Sequence, residues 1–156
     1  MSAQVDGILQ VKLPVTDLSR SVPWYRDVLG LRLWMEFVED GELCGAGLID
    51  DEAGFNVALR DRKATVNGPH LRDFDVVAFR PASFAALGQL VARCDELGVE
   101  HSGIRGTPDG SYLDVPDPDG TVLRFYHYTG PTAGFTGLEM RDGEIVGTYD
   151  TPRSPA

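Results

Sequence analysis

Apolar and polar residues alternate in the stretch ILQVKLPV near the N-terminus, a pattern typical of a β-strand with one buried face. The stretch that follows, TDLSRSVPWYRDVLG, spaces its apolar residues three and four apart, so it predicts an amphipathic helix. Thr16 or Asp17 lies near the start of this helix, and Gly30 follows its end. Pro23 removes one internal amide, so the helix either kinks or starts late, at Ser21.

Three further strand patterns follow the first helix. They cover residues 31–39, 42–49 and 55–60, and turns that contain Asp and Gly separate them. Together with the first strand and helix, they predict one β-α-β-β-β module over residues 8–61.

The same order of patterns restarts after a polar linker at residues 62–73. DVVAFR at 75–80 predicts a strand, and PASFAALGQLVARCDELG predicts a helix with Pro81 near its start and Gly98 as its C-terminal cap. Strand patterns then recur near residues 99–104, 111–115 and 121–128. The second module therefore covers residues 74–128.

The two modules keep the same internal spacing. Gln10 in the first strand and Ala58 in the last strand of module one are 48 residues apart, and so are Val76 and Arg124 in module two. Shared spacing with little identity indicates a duplicated module. The sequence therefore predicts an α+β fold built from two tandem βαβββ modules.

Residues 129–156 form a C-terminal extension beyond the second module. Within it, GLEMRDGEIVGTYD predicts a hairpin that turns at Asp142-Gly143, and the final TPRSPA is predicted to be frayed. Two interpretations of the extension stay open, a cover for an edge strand and a functional lid.

Composition narrows the classes of partner. The chain has 24 acidic and 14 basic residues and a formal charge of −10 at pH 7. This field repels phosphate backbones and anionic membranes, so neither nucleic acid nor a membrane is an expected partner. The N-terminus has no signal-peptide pattern, and Cys44 and Cys94 form no CxxC pair. Two reduced thiols predict a cytoplasmic protein.

Two segments carry a resemblance to a known family: VKLPVTDLSRSVPWYRDVLGL at the front and LDVPDPDGTVLRFYH at the back. With the two-module layout over residues 8–128, the chain resembles the vicinal oxygen chelate superfamily. That group includes glyoxalase I, the extradiol dioxygenases, fosfomycin-modifying enzymes and the bleomycin-resistance binding proteins. The resemblance implies a half-open barrel with outer helices, a ligand on the concave face, and a homodimer.

Metal-dependent members of this superfamily hold a divalent ion with His, Gln or Glu side chains on the first and last strands of the modules. The matching positions in this sequence are Gln10, Ala58, Val76 and Arg124. Only Gln10 offers a ligand atom, while Arg124 keeps its positive charge and repels a cation. No pair among His70, His101 and His127 has a chelating spacing, so neither a metal nor a cofactor is expected.

Strand alternation places one set of side chains on the concave face, because residues two apart along a strand share a face. The candidate ligand-binding residues of this face are Gln10, Lys12, Asn56, Ala58, Val76, Arg80, Arg124 and Tyr126. The inward set is rich in cations and lacks a carboxylate, so it predicts a small polar or anionic ligand. In the alternative interpretation, Arg124 pairs with an acid on the neighbouring strand, such as Asp114, and the other cations point into water.

Two classes of function follow from these residues. The first is the binding of a small molecule without a metal, as in sequestration or resistance. The second is a metal-independent isomerase, lyase or hydrolase, in which Tyr126 or Tyr112 acts as acid or base and Arg124 stabilises an oxyanion. A metal-dependent lyase or dioxygenase is the third alternative and the least supported, since the ligand positions lack donor atoms.

Overall fold

The computed structural model describes residues 4–155, which contain two α-helices and ten strands. The helices are α1 (Leu18–Leu29) and α2 (Phe84–Leu97). The strands are β1 (Gln10–Val15), β2 (Arg32–Glu39), β3 (Glu42–Asp50), β4 (Phe55–Asp61), β5 (Val77–Phe79), β6 (Arg105–Thr107), β7 (Gly110–Pro116), β8 (Val122–Tyr128), β9 (Gly137–Arg141) and β10 (Glu144–Tyr149).

Two four-stranded sheets form the body of the protein, and each sheet belongs to one β-α-β-β-β module. The strand order is β1-β4-β3-β2 in the first sheet and β5-β8-β7-β6 in the second. In both sheets the first strand of the module pairs in parallel with the last, and the remaining neighbours pair antiparallel. The predicted α+β fold of two tandem βαβββ modules is confirmed.

Helix α1 begins directly after a capping aspartate. The Asp17 carboxylate accepts hydrogen bonds from the amide and the hydroxyl of Ser19, and Gly30 ends the helix in the left-handed conformation with φ 69°. The alternative of a late start at Ser21 is therefore wrong. Pro23 lies inside the helix, where it cannot donate to the backbone ladder.

Helix α2 begins later than its sequence pattern predicts. Pro81 lies outside the helix, which starts at Phe84. The Ser83 hydroxyl accepts a hydrogen bond from the amide of Ala86 at 3.2 Å and so caps the first turn. The serine cap therefore fixes the start, whereas Gly98 ends the helix as predicted.

Two strands of the second module also differ from the prediction. Strand β5 is shorter than the predicted range of 75–80. The strand predicted at 99–104 is wrong, because this segment contains a turn at Gly103 with φ 71°. The His101 ring accepts a hydrogen bond from the Gly103 amide, so pairing with β7 begins only at Arg105.

One hydrophobic core lies between the helices and both sheets. Its strand residues alternate with those of the concave face, so the predicted side-chain parity of the strands is confirmed. The fully buried strand residues of this core are Leu13 and Val15 on β1, Ala46 and Leu48 on β3, Val57 and Leu59 on β4, Leu113 and Val115 on β7, and Leu123 on β8.

The Asp-Pro-Asp-Gly turn between β7 and β8 joins the two modules. Asp117 accepts hydrogen bonds from the amides of Asp119 and Thr121 and also from the Tyr25 hydroxyl of α1 at 2.7 Å. Asp119 accepts hydrogen bonds from the amide and hydroxyl of Thr16. Burial raises the pKa of Asp117, and burial together with the Asp117 charge raises the pKa of Tyr25 well above its ordinary value.

The C-terminal extension contains the predicted hairpin, formed by β9 and β10. Asp142 and Gly143 have φ values of 51° and 81°, as a tight two-residue hairpin turn requires. No helix within residues 4–155 is long and apolar enough to cross a bilayer.

Candidate functional site

The predicted concave face of the first sheet is the side opposite the one that packs on the hydrophobic core. Strand pairing sets its side chains in rows, because Gln10 is the partner of Asn56, Lys12 of Ala58, and Pro14 of Arg60. The rows continue onto β3 through Ile49, Gly47 and Gly45. Most of the predicted ligand-binding residues of module one therefore lie side by side.

Two glycines on β3 make room for large side chains from β2. A Cβ at Gly47 would lie 2.9 Å from Cγ of Met35 and 3.5 Å from the Trp34 ring. A Cβ at Gly45 would lie 3.0 Å from the Phe37 ring. These three side chains form an apolar wall at the outer side of the concave face, and Trp34 is about half exposed.

A side-chain hydrogen bond joins Gln10 and Asn56. The Gln10 side-chain amide donates to Oδ1 of Asn56 at 2.5 Å, and the Asn56 amide donates to the carbonyl of Leu9 at 3.0 Å. Asn56 is only 4% exposed. This pair therefore stiffens the start of β1, and of the two side chains only the half-buried Gln10 reaches the solvent-facing side.

Lys12 and Arg60 are the cations of this face. Lys12 is exposed and Arg60 is half-buried. Within residues 4–155 neither forms an ion pair, and the buried Nε of Arg60 has no hydrogen-bond partner. Their charge is therefore available to an anion.

Arg124 has a different environment on the concave face of the second sheet. Its Nε and Nη2 donate to the two oxygens of Asp114 at 2.8 and 2.9 Å, and Nη1 lies 3.0 Å from a carboxylate oxygen of Asp75. The hydrogen bonds that Arg124 donates to Asp114 are the main reason that the pKa of Arg124 is raised. The pairing of Arg124 with Asp114 is confirmed, and the expectation that the inward set lacks a carboxylate is wrong.

The contact between Arg124 and Asp114 follows from their positions on neighbouring strands. Asp114 lies directly opposite Arg124 in the β7–β8 ladder, so strand counting could identify it. Asp75 precedes β5, and its contact with Arg124 depends on the course of the chain just before this strand rather than on strand register. One cation between two carboxylates leaves this cluster with a net negative charge.

Tyrosines cover the rest of this concave face. The Arg124 guanidinium stacks over the Tyr112 ring at 4.5 Å. Tyr126 shares a hydrogen bond of 2.8 Å with the Thr107 hydroxyl, and its ring meets those of Tyr112 and Tyr128 edge-on at 6.1 and 5.7 Å. Tyr112 and Tyr126 are thus held beside Arg124, as the sequence-based hypothesis of a catalytic group requires.

Three other predicted site residues are less favourably placed. Ala58 is 1% exposed, and Val76 packs against the hydrophobic core. Arg80 follows the end of β5 and lines a cleft on the helix side of the molecule, so its assignment to the concave face is wrong. The reason is the short β5, which ends before alternation can place Arg80.

This cleft lies at the junction of the modules and has a volume of about 890 Å³. Its apolar walls include Val11 and Phe55 from the first module and Phe79 and Phe125 from the second, with α2 along one side. These side chains belong to the helix-facing sets. The cleft is therefore separate from the concave faces that carry the predicted ligand residues.

The donor set does not fit the divalent ion that some members of the superfamily bind. Of the four matching positions, Ala58 and Val76 have no ligand atom, and Arg124 is a cation that already engages two carboxylates. Gln10 donates its amide to Asn56. Within residues 4–155, no three His, Cys, Asp or Glu side chains are grouped so that they could hold a metal ion.

A duplicated β-α-β-β-β module with outer helices and polar concave faces defines a class of small paired-module proteins. The family model described as the Glyoxalase/Bleomycin resistance protein/Dioxygenase superfamily matches residues 7–125. The chain belongs to this superfamily.

Solved structures share this fold. A glyoxylase/bleomycin resistance protein/dioxygenase domain from Frankia sp. EAN1pec is 23% identical, with a TM-score of 0.67, and the match covers 80% of this chain and 99% of that chain. TnmS3, an antibiotic binding protein from Streptomyces sp. CB03234, is 21% identical (TM-score 0.66; coverage 81% and 99%). The fosfomycin resistance protein FosX from Listeria monocytogenes is 16% identical (TM-score 0.64; coverage 81% and 94%).

At these identities the likeness shows the fold alone. A comparison with curated protein sequences finds no match. The concave faces of this chain must therefore supply the argument for function.

Proposed function

We propose that this protein binds a small polar or anionic molecule on its concave face without a metal ion, as sequestration and resistance proteins do. The observation that carries the proposal is the pair of uncompensated cations, Lys12 and Arg60, on the concave face of module one. In a chain with a formal charge of −10, such a pair favours an anionic group of the ligand. The anchor is therefore placed here rather than at Arg124, whose charge is already offset.

Aromatic side chains support a ligand with a flat or apolar part. Trp34 and Phe37 lie on the concave face of module one, and three tyrosines lie on that of module two. Flat rings offer large contact areas at a small cost in side-chain entropy.

The proposal excludes a metal because of the donor chemistry at the four matching positions. A divalent ion beside Arg124 would face a guanidinium, and a typical site needs about three side-chain ligands. Elemental analysis of untagged protein tests this part. Stoichiometric iron, manganese, zinc or nickel would refute it.

The proposal includes a homodimer in the cytoplasm. Exposed apolar side chains on β2, β3 and the C-terminal hairpin support self-association. Cys44 and Cys94 are free thiols, which agrees with a reducing compartment.

Thermal-shift screening against organic acids and aromatic antibiotics with acidic groups tests the proposed ligand class. A ligand present at about 100 times its Kd stabilises the folded state by about 2.7 kcal/mol, a readily measured shift in Tm. Hits are then measured by titration calorimetry. Lys12→Met is expected to weaken an acidic hit about tenfold, since it removes a charge interaction of about 1.4 kcal/mol.

The matched control is Lys63→Met, which removes an exposed lysine outside the concave face. It lowers the net charge by the same amount and is expected to change the Kd less than twofold. Equal losses in both variants would show that only the overall charge matters. No loss at Lys12 would contradict the proposed anchor.

The alternative function is metal-independent catalysis by Arg124 with Tyr126 or Tyr112. The stacking of Arg124 on Tyr112 is the observation that favours it. Turnover of a hit that is lost in Arg124→Ala and in Tyr126→Phe would favour this enzyme. Tight binding without turnover would favour sequestration.

A further inference from the structure

The C-terminal hairpin of β9 and β10 has one apolar face. Leu138 and Met140 lie two apart on β9, and Ile145 pairs directly with Met140 across the hairpin, so the three side chains share a face. They are 48%, 55% and 41% exposed. Val146, in the bulge beside them, is also exposed.

The opposite face of the hairpin is polar, and side chains of the hairpin and of the residues that follow it cover this face. The Tyr149 ring lies across Gly137 and is stacked in turn by the Arg153 guanidinium at 4.1 Å. Arg153 also pairs with Glu139 at 2.8 Å. The hairpin is therefore amphipathic, and its apolar face is the one that the described part of the chain leaves exposed.

No other helix or strand of the described chain packs against this hairpin to a substantial extent. A two-stranded hairpin alone is marginally stable in water, and it needs a third layer to bury its apolar face. The hairpin also lies beyond the superfamily match, which ends at residue 125. The Frankia domain is matched over 99% of its length while a fifth of this chain stays unmatched.

A second exposed apolar surface lies on the outer strands of the first sheet. β2 is an edge strand, and long apolar edges are rarely left uncovered. The exposed apolar residues of this β2–β3 surface are Trp34, Phe37, Val38 and Leu43.

We propose that the hairpin of each subunit packs on the β2–β3 surface of a second copy of this chain, in a reciprocal two-fold exchange. The proposal rests on the homodimer part of the proposed function and gives it a specific interface. It also means that the partner's hairpin packs against the apolar wall at the outer side of the concave face. The hairpin would then form the edge of the ligand site together with Trp34 and Phe37, so the site would be incomplete in a single subunit.

The area available matches what a stable dimer needs. Covered completely, aromatic side chains bury about 150–250 Å² and aliphatic ones about 100 Å², so the eight half-exposed residues would bury about 500 Å² per subunit. Apolar atoms make up about 60% of an interface, so both subunits together would bury about 1,700 Å². Stable complexes bury about 1,200–2,000 Å².

A second copy fits better than other occupants. Each chain carries both surfaces, and reciprocal exchange about a two-fold axis closes the assembly without leaving either exposed. The formal charge of −10 disfavours an anionic membrane as the cover. The self-repulsion of two such chains is screened by salt, so the dimer is expected to tighten as ionic strength rises.

The test uses two full-length variants and measures mass by sedimentation without ligand. The hairpin variant is Met140→Lys with Ile145→Lys, and the surface variant is Val38→Asp with Leu43→Asp. Each is expected to raise the dimer Kd at least 100-fold. The control, Val5→Asp with Val66→Asp, replaces two exposed apolar residues elsewhere and is expected to change the Kd less than threefold.

Mixing the two variants separates exchange from other arrangements. In a mixed dimer one contact is native, and the other places two lysines against two aspartates. Mixing is therefore expected to restore dimers that neither variant forms alone. Circular dichroism and urea unfolding check that both variants are folded, and restored dimers would also show it.

Three results would overturn the proposal. They are a wild-type chain that stays monomeric at high concentration, a dimer that withstands both pairs of substitutions, and mixed variants that stay monomeric although folded. The last is the result expected if the hairpin folds back on its own chain. Because sedimentation needs no ligand, these outcomes are independent of the calorimetry that tests the ligand proposal.

Discussion

Tyr25→Phe removes a single hydroxyl from the contact between α1 and the Asp-Pro-Asp-Gly turn. Tyr25 is fully buried and Asp117 is 5% exposed, so bulk water cannot replace the lost donor. A hydrogen bond to a charged group contributes about 1.5–3 kcal/mol to stability. For a domain of this size the loss corresponds to a fall in Tm of about 3–12 °C.

The pH dependence of this loss follows from the pKa of Asp117. Burial raises that pKa above its ordinary value, so the folded protein holds the proton more readily than the unfolded chain. The stability from this group is fully present below the ordinary carboxyl pKa and is lost as pH rises through the raised pKa. Tyr25→Phe removes a donor that opposes the shift, so its cost is expected to be largest above the raised pKa and smaller in acid.

Urea unfolding, followed by circular dichroism, measures the loss of stability and its pH dependence. The two conditions are pH 7 and a pH near the ordinary carboxyl pKa of about 3.9. The matched control is Tyr126→Phe, whose hydroxyl bonds to the neutral Thr107 at a half-buried site. It is expected to cost about 0.5–1.5 kcal/mol without this pH dependence. A loss below about 0.5 kcal/mol in Tyr25→Phe, or one that does not change with pH, would refute the reasoning.

Two further predictions concern stability. Arg124→Leu leaves Asp114 and Asp75 without their shared cation. Because the guanidinium is part-exposed, this change is expected to lower the free energy of unfolding by about 1–2 kcal/mol, measured by thermal unfolding. An unchanged Tm would show that solvent fully screens the cluster. Gly88→Ala places a Cβ in open space inside α2 and is expected to stabilise the folded protein by about 0.5–1 kcal/mol. Gly98→Ala is expected to destabilise it, because Gly98 has a φ of 66°. Equal changes in stability for the two variants would contradict the helix geometry.

The fold was predictable because its signals are local and repeated. The spacing of 48 residues from Gln10 to Ala58, and again from Val76 to Arg124, follows from sequence alone, and the strand parity agrees with it. The boundaries that failed depend on single polar groups. The Ser83 cap moves the start of α2, and the turn at Gly103 removes a strand that β-propensity favours.

The site was less predictable, because long-range contacts decide which charges are free. Strand counting places Arg124 on the concave face and Asp114 opposite it, but it cannot show that Asp75, just before β5, also contacts Arg124. It also gives no sign that Lys12 and Arg60 form no ion pair with any of residues 4–155. Residue type and parity therefore identify candidate anchors, while the free charge depends on tertiary structure.

The hydrogen bonds between the α1 region and the Asp-Pro-Asp-Gly turn also help to explain why the two modules are expected to fold as one cooperative unit. Tyr25 and Asp117 are 92 residues apart, and Thr16 and Asp119 are 103 apart. Contacts of such separation form late, because closing a long loop costs more entropy than local pairing. Each half therefore lacks a buried partner until the other has folded, and deletion of the second module, or its exchange for an unrelated one, is expected to destabilise the first.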